Sequence, residues 1–253
     1  MKRIMGMIAL VAVLMVPTAS FAASDQLGIY VAPKFIYSVN QMNGLKEIWT
    51  EDDWFNSEGF TSGSEKFGNK SDNTFGGSIA IGYDFDKRFD VPIRTEIEYA
   101  FFSQAEIKHD GFMDPGVEYG RVKHQYDIQT LFWNTYFDIN TGTKFTPHIG
   151  AGIGLAFIDY RYDVHYIALG SETANQSPAT SKMNTNFAWN IGAGVGYDIT
   201  DNWTIDAGYR FVSLGSVSTK TKYDGDEKAD WSYKGKTDNL YQHQFAVGVR
   251  YTF

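Results

Sequence analysis

From Tyr241 to the last residue of the chain, every second position is bulky: Tyr241, His243, Phe245, Val247, Val249, Tyr251 and Phe253. Gln242, Gln244, Ala246, Gly248, Arg250 and Thr252 fill the places between. A two-residue period over this length predicts a β-strand with two unlike faces. One face carries rings at both ends, and the other carries amides, small groups and an arginine. A soluble strand would bury the first face and wet the second. A strand that crosses a membrane turns the first toward lipid and the second toward a polar lumen.

The same period recurs seven times upstream. Ile29, Val31, Phe35, Tyr37 and Val39 oppose Ala32, Lys34 and Ser38 in Leu27–Val39. Phe75, Ile79, Ile81, Tyr83 and Phe85 share the outward face of Thr74–Phe85. Ile93, Ile97, Tyr99, Phe101 and Ile107 share that of Ile93–Lys108. In the fourth strand, Arg121–Asp138, Tyr126, Ile128, Phe132 and Tyr136 are expected outward. Its mixed face, with Asp127, Leu131, Trp133 and Phe137, is then expected inward. Ile149, Ile153, Leu155 and Phe157 point out of the fifth strand, Phe187, Trp189, Ile191, Val195 and Tyr197 out of the sixth. Trp203, Ile205, Tyr209 and Phe211 point out of the seventh.

The connections alternate in length. Long irregular stretches are expected at Asn40–Asn73, His109–Gly120, Ser171–Lys182 and Gly215–Asp238, and short turns near Asp86–Asp90, Asn140–Gly142 and Thr200–Asn202. An even number of strands with alternating long and short links predicts an all-β fold. It is an eight-stranded antiparallel transmembrane β-barrel with long extracellular loops and short periplasmic turns. A soluble barrel would have to pack runs of glycine and carboxylate as its core, which is costly.

Composition agrees with this reading. Aromatic residues make up 16% of the chain, and there are 25 glycines. There is no cysteine, which excludes disulfides, thiol catalysis and a lipidated cysteine. A net charge of −8 disfavours nucleic acid as a partner. Residues 1–22 read as a secretory signal peptide: Lys2 and Arg3, an apolar run from Ile4 to Val16, then Ser20-Phe21-Ala22. The barrel domain is then residues 23–253, destined for a Gram-negative outer membrane.

Four segments carry a family resemblance: Gly150-Ala151-Gly152-Ile153-Gly154, Asn190 to Tyr197, Asp206-Ala207-Gly208-Tyr209-Arg210, and Gly248 to Phe253. With them the chain resembles the small outer-membrane barrels of the opacity-protein and OmpA-like type. A monomeric barrel bathed in outer-membrane lipid is expected. The resemblance implies a structural, adhesin-like or surface-antigen role, with a host or environmental ligand taken by the loops. It also implies that the barrel-assembly machinery reads the terminal strand through Tyr251 and Phe253.

Three groups of residues are candidates for function. Lys34, Arg94, Glu96, Glu98, Asp127, Asp206, Arg210 and Arg250 are expected to project into the lumen, where charges must pair. They form either a structural salt-bridge core or the gate of a narrow small-solute pore. Trp49, Trp54, Phe55 and Phe60 lie among acids in the first long connection, a composition suited to a binding surface. The five histidines are scattered, with no two at ligand spacing on one strand, so neither a metal site nor a cofactor is expected. A lipid-modifying enzyme would need a catalytic set assembled across strands, and no such set is read, so no catalytic residue is assigned.

Overall fold

The computed structural model describes residues 27–52, 61–111, 117–168, 174–176, 180–224 and 230–253. The strands are β1 (Ile29–Asp52), β2 (Thr61–Asp84), β3 (Ile93–Phe102), β4 (Ala105–Gly111), β5 (Val117–Asp138) and β6 (Phe145–Ala168). They continue as β7 (Ala174–Gln176), β8 (Thr180–Asp198), β9 (Trp203–Ser213), β10 (Val217–Asp224) and β11 (Asp230–Thr252). A single helical turn, α1 (Asp86–Phe89), joins β2 to β3.

These segments form eight antiparallel staves, because β3 and β4, β7 and β8, and β9 and β10 each run on as one stave past a short break. Around the ring the order is β1, β2, β3/β4, β5, β6, β7/β8, β9/β10 and β11. The ring closes where β11 pairs with β1 from Tyr30↔Thr252 to Asp52↔Asp230. Below that pairing, Leu27 N–H donates to Phe253 C=O at 2.7 Å, and Phe253 N–H donates to Ile29 C=O at 2.9 Å.

The outer surface has a sharp upper boundary. On β6 the outward series Phe145, Ile149, Ile153, Leu155 and Phe157 gives way to Asp159, Arg161 and Asp163. On β1, Phe35, Tyr37 and Val39 give way to Gln41 and Asn43. Phe145 to Phe157 covers about 40 Å along the strand, or roughly 30 Å once a barrel tilt is allowed for, the depth of a bilayer's hydrocarbon. Ring pairs mark both rims of this belt. Phe145–Tyr197 and Trp203–Tyr251 lie near the turn end, and Tyr37–Phe75 and Phe211–Tyr241 near the far end. Such aromatic girdles sit at headgroup depth.

Strand order, the short turns and the belt agree with the sequence. Two features differ. First, the long connections are strand for most of their length. β1 continues to Asp52 and β2 begins at Thr61, within the stretch expected to be irregular. The barrel wall therefore rises roughly ten residues, some 25 Å, beyond the belt.

Second, β5 faces the other way. Tyr126, Ile128 and Phe132 are buried inside, whereas Leu131, Trp133 and Phe137 are exposed on the lipid face. Directly paired residues of an antiparallel sheet share a face. Glu98 opposes Phe132, and Ile97 opposes Trp133, which settles the orientation. Asp127 lies on the outward side above the belt, where its carboxylate accepts from Gln104 Nε2 at 2.9 Å. It is not a lumen charge, contrary to the expectation from sequence.

Just above the belt, several staves shift by one residue while β5 and β6 run straight through. On β1 the buried positions are Ile36, Ser38, Asn40 and Met42, then Leu45 and Glu47. A bulge between Met42 and Leu45 causes the change, and Gly44 takes φ +68° there. Such bulges admit one extra residue and reverse the faces beyond it. The break at Ser103 and Gln104 does the same between β3 and β4, so Ile107 is buried instead of outward. Gly215, at φ +78°, marks the shift between β9 and β10.

Candidate functional site

The interior has three layers. At belt depth it is ionic. Lys34 Nζ bridges Glu96 at 2.6 Å and Glu98 at 2.7 Å. Arg210 pairs with the other oxygen of Glu98 at 2.5 Å and donates from Nε to Gln244 at 2.5 Å. Arg94 grips Asp138 with two donors, at 2.5 and 2.9 Å. Arg250 donates to Asp206 at 3.1 Å and lies 3.6 Å from Asp84. Tyr30 and Tyr136 donate to Glu96 at 3.1 and 2.8 Å. Burial makes each partner necessary, since an unpaired charge in such a place is strongly destabilising.

Seven of the eight lumen charges expected from sequence are thus brought together, and Asp127 is not. Asp84 and Asp138 complete the set. Asp138 escapes a sequence reading because its strand was oriented the wrong way. The charges leave a residual cavity of about 70 Å³ beside His148, Arg210 and Arg250, room for a few waters.

The glycines of this layer are contact points. A Cβ on Gly154 would stand 2.0 Å from the Leu131 carbonyl, and one on Gly152 equally close to Asn134 Oδ1.

Above the ions lies an apolar cluster that includes Ile36, Phe102, Tyr126, Phe132, Leu214 and Leu240. Opposite walls of the barrel touch here. The hydroxyls of Tyr126 on β5 and Thr237 on β11 share a hydrogen bond of 2.9 Å.

Higher still, beyond the lipid belt, a polar cluster is enclosed by the same walls. Glu47 comes from β1, His109 from β4, His124 from β5 and Tyr162 from β6. Both phase shifts described above are needed to turn Glu47 and His109 inward. Glu47 accepts a short hydrogen bond from the Tyr162 hydroxyl. His124 is wholly buried and shares a 2.7 Å hydrogen bond between its Nδ1 and Tyr160 Oη. Its ring stacks on His109 at 5.1 Å, and the Phe67 ring lies 3.7 Å from that of His109. Nε2 of His124 is buried with no hydrogen-bonding partner among the described residues.

Burial drives the Glu47 carboxyl up to about 7, against the lowering pull of the Tyr162 hydrogen bond. Burial, with His109 adding to it, drives His124 down to about 3. At neutral pH the His124 imidazole is therefore neutral. The sequence suggested no such meeting, because alternation alone places neither bulge. The β4–β5 register, with Ile107 opposite His124 and His109 opposite Val122, brings the two rings together.

Of the residues expected to form a binding surface, Trp49 lies on β1 with its backbone opposite Tyr233 and Gly63. Trp54, Phe55 and Phe60 fall outside the described residues. Tyr251 and Phe253 pack edge to face at 4.8 Å on the turn-end rim.

Three relatives of known name fit this architecture. The chain is 33% identical to outer membrane protein PagN of Salmonella typhimurium over 239 residues, covering 92% of this chain and 93% of that protein. It is 23% identical to the putative adhesin RC1281 of Rickettsia conorii, over 72% of this chain and 69% of that one. It is 23% identical to opacity protein opA66 of Neisseria gonorrhoeae, over 75% and 83%. The profile of the outer membrane protein beta-barrel domain matches residues 8–253. With a lipid belt outside, paired charges inside and a family profile that matches nearly the whole chain, the chain belongs to the outer-membrane β-barrel family.

Proposed function

We propose that this chain is a surface-interaction protein of the outer membrane, acting as a binding protein and not as an enzyme. The observation that carries the reading is the extension of the wall. Strands rise some ten residues above the belt and hold one another through buried side chains. The strand ends at Asp52, Gly111, Ala168 and Asp224 thereby stand well clear of the lipid. An ordered pedestal lowers the entropy lost when the connecting segments, 53–60, 112–116, 169–173 and 225–229, bind. PagN, the Rickettsia adhesin and the opacity protein support a role at the cell surface.

Trp54, Phe55 and Phe60, in segment 53–60, are the residues best suited to make that contact, as large rings dominate binding hot spots. In this reading residues 1–22 are removed on export. Tyr251 and Phe253 mark the closing strand for the assembly machinery, and the barrel works as a monomer.

The test is adhesion of bacteria that display the protein to a cultured epithelial layer. Segment 53–60 is replaced by a Gly-Ser stretch of equal length, and the other three segments likewise in separate strains. Loss of adhesion in at least one strain is expected, with the barrel still resisting unfolding in detergent before heating. Undiminished adhesion with all four segments replaced together would sink the proposal.

A further inference from the structure

We propose that Glu47, His109 and His124 form a binding site for a divalent d-block cation of the zinc type, which ties three staves together above the membrane. Each residue offers one ligand atom, and these atoms lie within 4.8 Å of one another. Ligands bound at 2.0–2.2 Å around a tetrahedral zinc stand about 3.4 Å apart. Rotation of the side chains by an ångström or so closes the difference.

The donor set selects the metal. Two imidazoles with one carboxylate suit zinc, and equally copper or nickel, while calcium and magnesium prefer oxygen alone. The groups that would orient these ligands are in place as well. A metal-bound histidine characteristically gives its remaining N–H to an oxygen, which fixes the ring. Tyr160 Oη stands 2.7 Å from His124 Nδ1 and can accept that proton. The nitrogen then left to bind is Nε2, buried and unmatched by any hydrogen-bonding group among the described residues. Tyr162 donates a hydrogen bond to the Glu47 carboxylate. A cation would answer both the orphaned nitrogen and the buried carboxyl. Three protein ligands leave a fourth position for water.

Positions in the fold give the site a purpose. Glu47 follows the bulge at Gly44, and His109 follows the break at Ser103. A metal bridging β1, β4 and β5 would hold these two irregularities in register.

Isothermal titration of untagged, folded protein in detergent with zinc chloride tests the proposal, after treatment with a chelator and in the presence of excess magnesium. One zinc per chain is expected. His109→Ala and His124→Ala should each weaken binding by at least about tenfold, and Glu47→Gln should weaken it too. His243→Ala, on the lipid face, should leave it unchanged. Binding that survives in the His109→Ala/His124→Ala double variant overturns the site, as does a wild-type protein that takes up no zinc at millimolar concentration. Should the variants fail to fold, X-ray absorption of the zinc-loaded wild-type protein decides the matter. Two imidazoles in the first shell support the site, and a shell of oxygen alone rejects it.

Discussion

Tyr136 and Glu96 meet inside the barrel, with the phenol donating to Glu96 Oε1 at 2.8 Å. A tyrosine on an alternating strand is easily read as a girdle residue. Here its hydroxyl completes the solvation of a buried carboxylate, and its position sets the facing of the whole of β5.

That facing makes Asp138, and not Asp127, the partner of a buried guanidinium. Asp138→Asn leaves Arg94 without its counter-charge, at a cost of about 3–5 kcal/mol. Asp127→Asn changes an outward group and should alter stability by less than about 0.5 kcal/mol. Urea unfolding in lipid vesicles measures both. Equal losses from the two substitutions would restore the opposite facing.

Lys34 links two carboxylates, so its removal should depend on what remains beside it. Lys34→Met leaves Glu96 and Glu98 facing each other, with only Arg210 against Glu98. A loss of about 3–5 kcal/mol is expected. Adding Glu96→Gln removes the surplus negative charge and should recover part of the loss. The coupling between the two sites should exceed about 1 kcal/mol. Additive losses in the double-mutant cycle would mean that the two side chains do not share one network.

Much of this was legible in the sequence, and the gaps have physical causes. Alternation located the eight staves, the lipid face of seven of them and seven of the lumen charges. It failed on β5 because that strand is amphipathic in an unusual way. Its lumen side carries Phe132, Tyr126 and Ile128, which feed the apolar layer, so both faces look hydrophobic. It failed again above the belt, where one extra residue reverses inside and outside. Residues as distant in sequence as Glu47, His109 and His124 then meet through register, which a period of two does not encode.

The bulge at Gly44 is the joint on which the upper half of β1 turns. Its φ of +68° is strained for any residue with a Cβ, and that atom would stand 2.8 Å from Asp238 Oδ2. Gly44→Ala should therefore cost about 1–2 kcal/mol, felt in the extension and not in the belt. Hydrogen exchange should quicken at Leu45 to Ile48 and at their partners Lys234 to Thr237. Amides of Ile29 to Ile36 should keep their protection. Uniform loss of protection along β1 would show that the bulge is not a local joint.

The apolar layer also bears on conduction. A pore gated by lumen charges would have to continue upward past Ile36, Phe132, Leu214 and Leu240, all buried and packed together. Water and ions leave so narrow an apolar constriction. Planar-bilayer recordings should therefore be silent for the wild-type protein, and equally silent for Glu96→Ala and Arg210→Ala, because neither change removes a side chain of the seal. Loosening the seal itself, with Phe132→Ala and Leu214→Ala together, is the change that should admit current if the variant still folds. Steady channels in Glu96→Ala alone would place the barrier in the ionic layer and revive the gated pore.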